Sequence, residues 1–168
     1  MAVQTFTNIG FGTLALANRL SAINGVTPQL IATATLTIDT SGPGFFDFTR
    51  DAARFLAEAG AGEGALLAYL RHTSASLVIQ ENADPDVQTD LVTALDRLAP
   101  ADAPWVHDTE GPDDMPAHVK SMVNGVSLHI PVIGSRLAVG TWQGLYLAEH
   151  RADPHRREIV LQFIGSRR

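Results

Sequence analysis

From Leu30 to Asp39 apolar and polar side chains alternate. Leu30, Ala32, Ala34, Leu36 and Ile38 fall on one side, and Thr33, Thr35, Thr37 and Asp39 on the other. A period of two with many threonines predicts a half-buried strand. Ser41-Gly-Pro-Gly44 turns the chain, and Phe45–Phe48 reads as a second, short strand. A helix is expected over Arg50–Ala59, with Thr49 as its cap, Asp51 complementing the dipole in the first turn, and Gly60 as its stop. Gly64–Leu70 and Ser76–Ile79 predict two neighbouring strands on either side of a His72-Thr-Ser74 cluster.

Asp84-Pro85 opens the clearest helix, because Asp suits the cap and Pro the first helical position. Val87, Leu91, Leu95 and Leu98 form its expected buried stripe, and Pro100 ends it. Residues 101–115 read as a long acidic loop, a length that usually goes with function or mobility. Pro116 starts a helical turn carrying His118 and Lys120, stopped near Asn124-Gly125. Three strands follow: Val126–Val132, Arg136–Glu149 broken by a Gly140-Thr-Trp-Gln143 corner, and Arg157–Ile164. Strands outnumber helices and do not alternate with them. The pattern predicts an α+β fold with mainly antiparallel sheets.

Length and composition narrow the function classes. The 168 residues suit one domain, and 45% hydrophobic with 18% charged residues is the balance of a globule with a real core. A net charge of −6 disfavours a nucleic-acid or anionic-membrane surface, and no run is apolar enough to span a bilayer. The absence of cysteine excludes disulfides, thiolate metal sites and cysteine nucleophiles, and it fits a cytoplasmic protein. Residues 1–28 carry one charge, Arg19, and lack the basic start of a secretory signal. They read as an N-terminal appendage, a short helix or a mobile arm, ahead of a domain over 29–168.

Histidines and carboxylates supply the candidate chemistry. His72 is either a proton shuttle or metal ligand, or a histidine satisfied by Thr73 and Ser74. His118 and Lys120 form a pair able to bind phosphate, or His118 joins the acidic loop around a metal; the plain alternative is a solvated helix start. His107 and His155 read as surface groups, and His129 faces away from Leu128 and Ile130, towards solvent or a partner. Glu81, Asp84 and Asp86 either hold a divalent cation or orient a histidine, or Asp84 is only a cap and the others are solvated. Ser74 is a nucleophile candidate without an identifiable base. At Gly140 the backbone is free to turn tightly, and the Thr141 hydroxyl, Trp142 indole and Gln143 amide bring several hydrogen-bonding groups to one point. No glycine-rich phosphate loop, His-Glu-x-x-His helix or Gly-x-Ser-x-Gly elbow is present.

Four motifs in order, His72-Thr-Ser-Ala-Ser, Glu81-Asn-Ala-Asp-Pro-Asp, Pro116-Ala-His-Val-Lys-Ser and Gly140-Thr-Trp-Gln-Gly, resemble the YjbQ family, UPF0047. The resemblance spans about residues 30–166. It implies two β-sheets in a sandwich with two to three helices, assembled as a homotrimer. The family's name as a secondary thiamine-phosphate synthase implies condensation of hydroxymethylpyrimidine diphosphate with a thiazole phosphate, releasing pyrophosphate.

The family pattern implies His72, His118, Ser74 and Glu81 as catalytic candidates. Asn82, Lys120, Thr141, Trp142 and Gln143 become substrate-binding candidates on the same pattern, and Arg136, outside it, joins them as a second cation beside Lys120 for the leaving pyrophosphate. His72, His118 and Glu149 are the metal candidates, with Glu81, Asp84 or Asp114 as alternative holders of a divalent zinc or magnesium ion. Dedicated thiamine-phosphate synthases are (β/α)₈ barrels, an architecture typically about 250 residues long, so this chain would be an unrelated solution. Two other readings stand beside it: a zinc-dependent hydrolase or lyase acting on a small phosphorylated metabolite, and a trimer that binds a metabolite without chemistry.

Overall fold

The computed structural model describes residues 20–168. In chain order the elements are β1 (Leu30–Thr40), β2 (Gly44–Asp47), α1 (Thr49–Glu58), β3 (Ala61–Leu70), β4 (Ala75–Glu81), α2 (Pro85–Leu98), α3 (Asp114–Asn124), β5 (Ser127–Ile133), β6 (Arg136–Leu137), β7 (Gln143–Glu149) and β8 (His155–Arg167). They form a five-stranded sheet in the order β1-β8-β3-β5-β6 and a three-stranded sheet in the order β2-β7-β4. Every pairing is antiparallel. The fold is α+β, two antiparallel sheets with three helices. Residues 20–28 are exposed and carry no helix or strand, and the remainder of the expected appendage, residues 1–19, lies outside the described residues.

Alternation decides which faces meet. Ile159, Leu161 and Phe163 of β8 point inward with Leu66, Ala68 and Leu70 of β3, and join Leu77 of β4 and Leu145 and Leu147 of β7 in one buried cluster. Phe48, Ala52 and Leu56, leading into and along α1, belong to the same core. At roughly 25 cal/mol per Å² of apolar area removed from water, this inter-sheet layer is the main stabilising feature. One ion pair is buried within it. Glu149 at the end of β7 takes two hydrogen bonds from Arg157 of β8, at 2.7 and 2.6 Å, and one from Thr40 of β1 at 2.8 Å. This triad ties the small sheet to the large one.

Several sequence expectations are corrected. Gly64–Leu70 and Ser76–Ile79 are not sheet neighbours, because residues 71–74 carry the chain from the large sheet to the small one. β3 instead pairs with β8 and β5, and β4 with β7. Leu98 lies outside the buried stripe of α2 at 54% exposed, while Val92 is half-buried. Thr49 does not cap α1 with its side chain, and its hydroxyl instead accepts from the Leu145 N–H at 2.8 Å. α3 starts at Asp114, two residues before Pro116. That shift places Asp114 on the helix and not in the acidic loop.

Candidate functional site

Helical geometry puts side chains four residues apart on the same face. Asp114 and His118 are such a pair on α3, and His118 Nε2 approaches Asp114 Oδ2 to 3.4 Å. The loop before α3 folds back so that His107 Nε2 lies 2.8 Å from the same oxygen. One ligand atom from each of His107, Asp114 and His118 lies within 4.8 Å of the others, the one such grouping among the described residues.

The surroundings hold these groups in place. His118 Nδ1 donates to the Thr73 carbonyl at 3.0 Å, which turns Nε2 towards the carboxylate. Asp114 is almost fully buried, and its other oxygen accepts from Arg151 Nη1. Arg151 Nε also binds Asp113 Oδ2 at 3.0 Å, and the Ala152 N–H adds 2.8 Å to that oxygen. Burial pushes the Asp113 carboxyl up, but these hydrogen bonds outweigh it and hold its pKa below the usual value. Carbonyl-oriented imidazole and guanidinium-oriented carboxylate are the outer partners that ligand side chains commonly have around a metal.

The opposite flank of α3 borders a cavity of about 380 Å³, lined in part by Pro43, Asp96, Pro100, Asp113, Lys120 and His150. Lys120 is 6% exposed and donates to Asp96 Oδ1 at 2.6 Å. His150 is 5% exposed, with Nε2 2.8 Å from the Ser76 hydroxyl, which also accepts from Asn124 at 3.2 Å. Burial first, then the Lys120 charge, lowers the His150 pKa from 6.5 to about 4.

The expected site residues separate into groups. Thr73 reaches His118 through its backbone, while the His72 ring turns to β8, where Nε2 accepts from the Glu158 N–H at 2.9 Å. Burial first, then Arg157, lowers the His72 pKa. Ser74 is half-buried in the same linker. Glu149 is enclosed by Arg157, Thr40 and the N–H groups of His150 and Arg151, so its oxygens are fully committed. Burial raises its pKa, but the Arg157 hydrogen bonds prevail and the net direction is down.

Glu81, Asn82, Thr141, Trp142 and Gln143 sit at the other end of the β4–β7 pair, since Ala75 faces Glu149 and Glu81 faces Gln143. Seven residues of strand separate the two ends by about 20 Å. There Asn82 clamps the corner through the carbonyls of Thr141 and Gln143, each at 3.4 Å. Gln143 Oε1 accepts from the Gly140 N–H at 2.8 Å, and Trp142 is 66% exposed. Arg136 is exposed at the tip of the β5–β6 hairpin, beside α1.

His150 and Ser76 carry no role on sequence grounds, and His107 is exposed, as a surface group was expected to be. The Asp114-x-x-x-His118 spacing is a signal for one half of the cluster. Nothing local marks His107, which a loop brings into place.

Comparison with known proteins places this architecture. The family model described as UPF0047 protein YjbQ-like matches residues 34–166. The chain belongs to the YjbQ-like UPF0047 family. UPF0047 protein sll1880 of Synechocystis is 46% identical over 131 residues, covering 77% of this chain and 89% of the relative. UPF0047 protein YugU of Bacillus subtilis is 40% identical over 121 residues, covering 71% of this chain and 88% of the relative. Among solved structures, hypothetical protein APE1520 from Aeropyrum pernix matches with a TM-score of 0.75 at 29% identity, covering 80% of this chain and 99% of its own. A YjbQ/UPF0047 protein from Clostridium acetobutylicum matches with a TM-score of 0.73 at 32% identity, covering 77% and 98%. No described helix of this YjbQ-like chain is long and apolar enough to cross a membrane.

Proposed function

We propose that this YjbQ-like chain is a metal-dependent enzyme acting on a small phosphorylated metabolite, with His107, Asp114 and His118 as the ligands of a divalent ion. The observation that carries this reading is the 3.4 Å approach of His118 Nε2 to Asp114 Oδ2. With Nδ1 donating to Thr73, Nε2 is the ring nitrogen that faces the carboxylate oxygen. Two acceptors so close repel unless a cation or a proton lies between them. Two imidazoles and one carboxylate suit zinc better than magnesium, and three protein ligands leave a position open, as catalytic zinc sites do. A zinc ion there supplies Lewis-acid stabilisation of charge on a phosphoryl group. Arg151 fixes the Asp114 carboxylate, and Thr73 fixes the His118 ring.

Metal analysis of protein purified without chelator should find about one zinc per chain, lost in His107→Ala and His118→Ala. Protein that carries no metal, and gains neither metal nor activity from added zinc, sinks the reading. The condensation implied by the family resemblance is the first reaction to assay. Given hydroxymethylpyrimidine diphosphate, thiazole phosphate and Mg²⁺, the protein should yield thiamine phosphate and pyrophosphate. Full turnover in both His72→Ala and His118→Ala would remove these histidines from that reaction.

A homotrimer belongs to the same proposal. It is supported by the outer face of the large sheet, where Ile31 aligns with Ile164, Ala65 and Pro131, and Val160 with Tyr69. Ile31, Tyr69 and Ile133 are exposed there, as an apolar surface awaiting a partner would be.

A further inference from the structure

His118 and Lys120 are two residues apart on one helix, so they point to opposite flanks of α3. The chemistry of the Lys120 flank is separate from the histidine–carboxylate cluster. Lys120 and His150 are each more than nine-tenths buried and both line the cavity against α2. A buried ammonium requires a counter-charge. Here the partner is Asp96, whose side chain is 60% exposed. The other acidic lining residue, Asp113, is already held by Arg151 and the Ala152 N–H, so it does not compete for Lys120.

The hydrogen-bond pattern around His150 sets its tautomer. Asn124 donates to the Ser76 oxygen, and the Ser76 hydroxyl has no acceptor among the described residues other than His150 Nε2. The proton of the neutral ring therefore lies on Nδ1. That N–H has no partner among the described residues, although the side chain is buried and lines the cavity. Two donors on largely buried side chains, the Lys120 ammonium and the accessible His150 Nδ1–H, thus border one space in which Asp96 is the one carboxylate not held by another cation.

We infer that the cavity between α2 and α3 is a second binding site, distinct from the His107–Asp114–His118 cluster, that takes the oxyanion of a small metabolite on Lys120 and His150 with Asp96 as its displaceable stand-in. The oxyanion is a phosphoryl or carboxylate group, since either offers the acceptors that these donors lack. Asp96 lies on the exposed side of α2 and gives up little by rotating into water.

The test is calorimetric titration of chelator-treated protein with inorganic phosphate and, in a second arm, with acetate, alongside NMR of the histidine ring resonances. Saturable binding that shifts the His150 resonances is expected in at least one arm, and the arm that saturates identifies the oxyanion. Asp96→Asn removes the competing carboxylate of this half-buried pair and should tighten binding at least about twofold, the lower end of what such an ion pair contributes. Lys120→Gln should weaken binding at least about tenfold, the loss of one charge-assisted contact. Because Lys120→Gln alters a buried position, Asp96→Asn is the deciding variant. Unchanged or weaker affinity in Asp96→Asn overturns the inference, as does absence of saturation in both arms. His107→Ala should abolish metal retention and leave phosphate affinity intact, so that failure of the metal reading and failure of this one are read separately.

Discussion

At the scale of single residues, two buried polar groups set how the protein responds to pH. His150 is neutral in the folded state, with a pKa near 4 against 6.5 unfolded. Below pH 6.5 the unfolded chain takes up the proton that the folded chain refuses, so stability falls as pH drops from 6.5 towards 4. The full effect is about 3 kcal/mol. Denaturant unfolding at a series of pH values should show this slope, and His150→Gln should flatten it. Glu149 acts at lower pH. Its carboxyl titrates below the normal range when folded, so the stability it contributes is lost progressively as pH falls from the ordinary carboxylate range through that lowered value. Glu149→Gln leaves Arg157 as a buried charge without its counter-ion, and a loss of about 3–5 kcal/mol in unfolding free energy is expected. A loss below about 1 kcal/mol would show that water reaches Arg157 and that the inter-sheet triad is not closed.

At the scale of elements, α2 packs only through half-buried side chains, so the contribution of its cap is visible. None of its residues is fully buried, while Asp84 Oδ1 accepts from the Asp86 N–H at 2.9 Å. Asp84→Ala should therefore cost about 0.5–2 kcal/mol and fray the helix, read by amide hydrogen exchange over residues 85–90. Close backbone approach governs the β3–β8 pair. A methyl on Gly64 would press into the Ile164 carbonyl, and one on Gly165 into that of Glu63. Gly64→Ala should disrupt this pairing and lower the melting temperature.

These elements also show what the sequence could and could not disclose. Alternation located β1, and the Asp84-Pro85 start located α2, because both signals are local. The separation of β3 from β4 was hidden, since the polar link at 71–74 reads equally as a hairpin or as a crossing between sheets. Leu98 fits the helical period yet is 54% exposed, while the adjacent Ala99 is buried. His72, Glu149 and Lys120 were visible as candidates, but their partners Glu158, Arg157 and Asp96 lie 86, 8 and 24 residues away. No spacing rule reaches across such distances.

At the scale of the whole molecule, the expected site residues fall at the two ends of the β4–β7 pair, except Arg136 on the β5–β6 hairpin, and the exposed Trp142 corner is remote from His118. In the homotrimer we propose, the outer face of the large sheet is where copies meet. Leu67→Lys lies in its central row, aligned with Gln162 and His129, and should yield a smaller species by light scattering. An unchanged mass would move the interface elsewhere.

Arg151 joins Asp113, which borders the cavity, to Asp114, which faces the two histidines. One guanidinium is thus shared by two addresses on α3. If a cation at one of them changes the affinity for an anion at the other by some factor, the anion must change the affinity for the cation by that same factor. Occupancy at the two flanks becomes a reciprocal quantity, and a phosphate titration repeated at several zinc concentrations would measure it from either side.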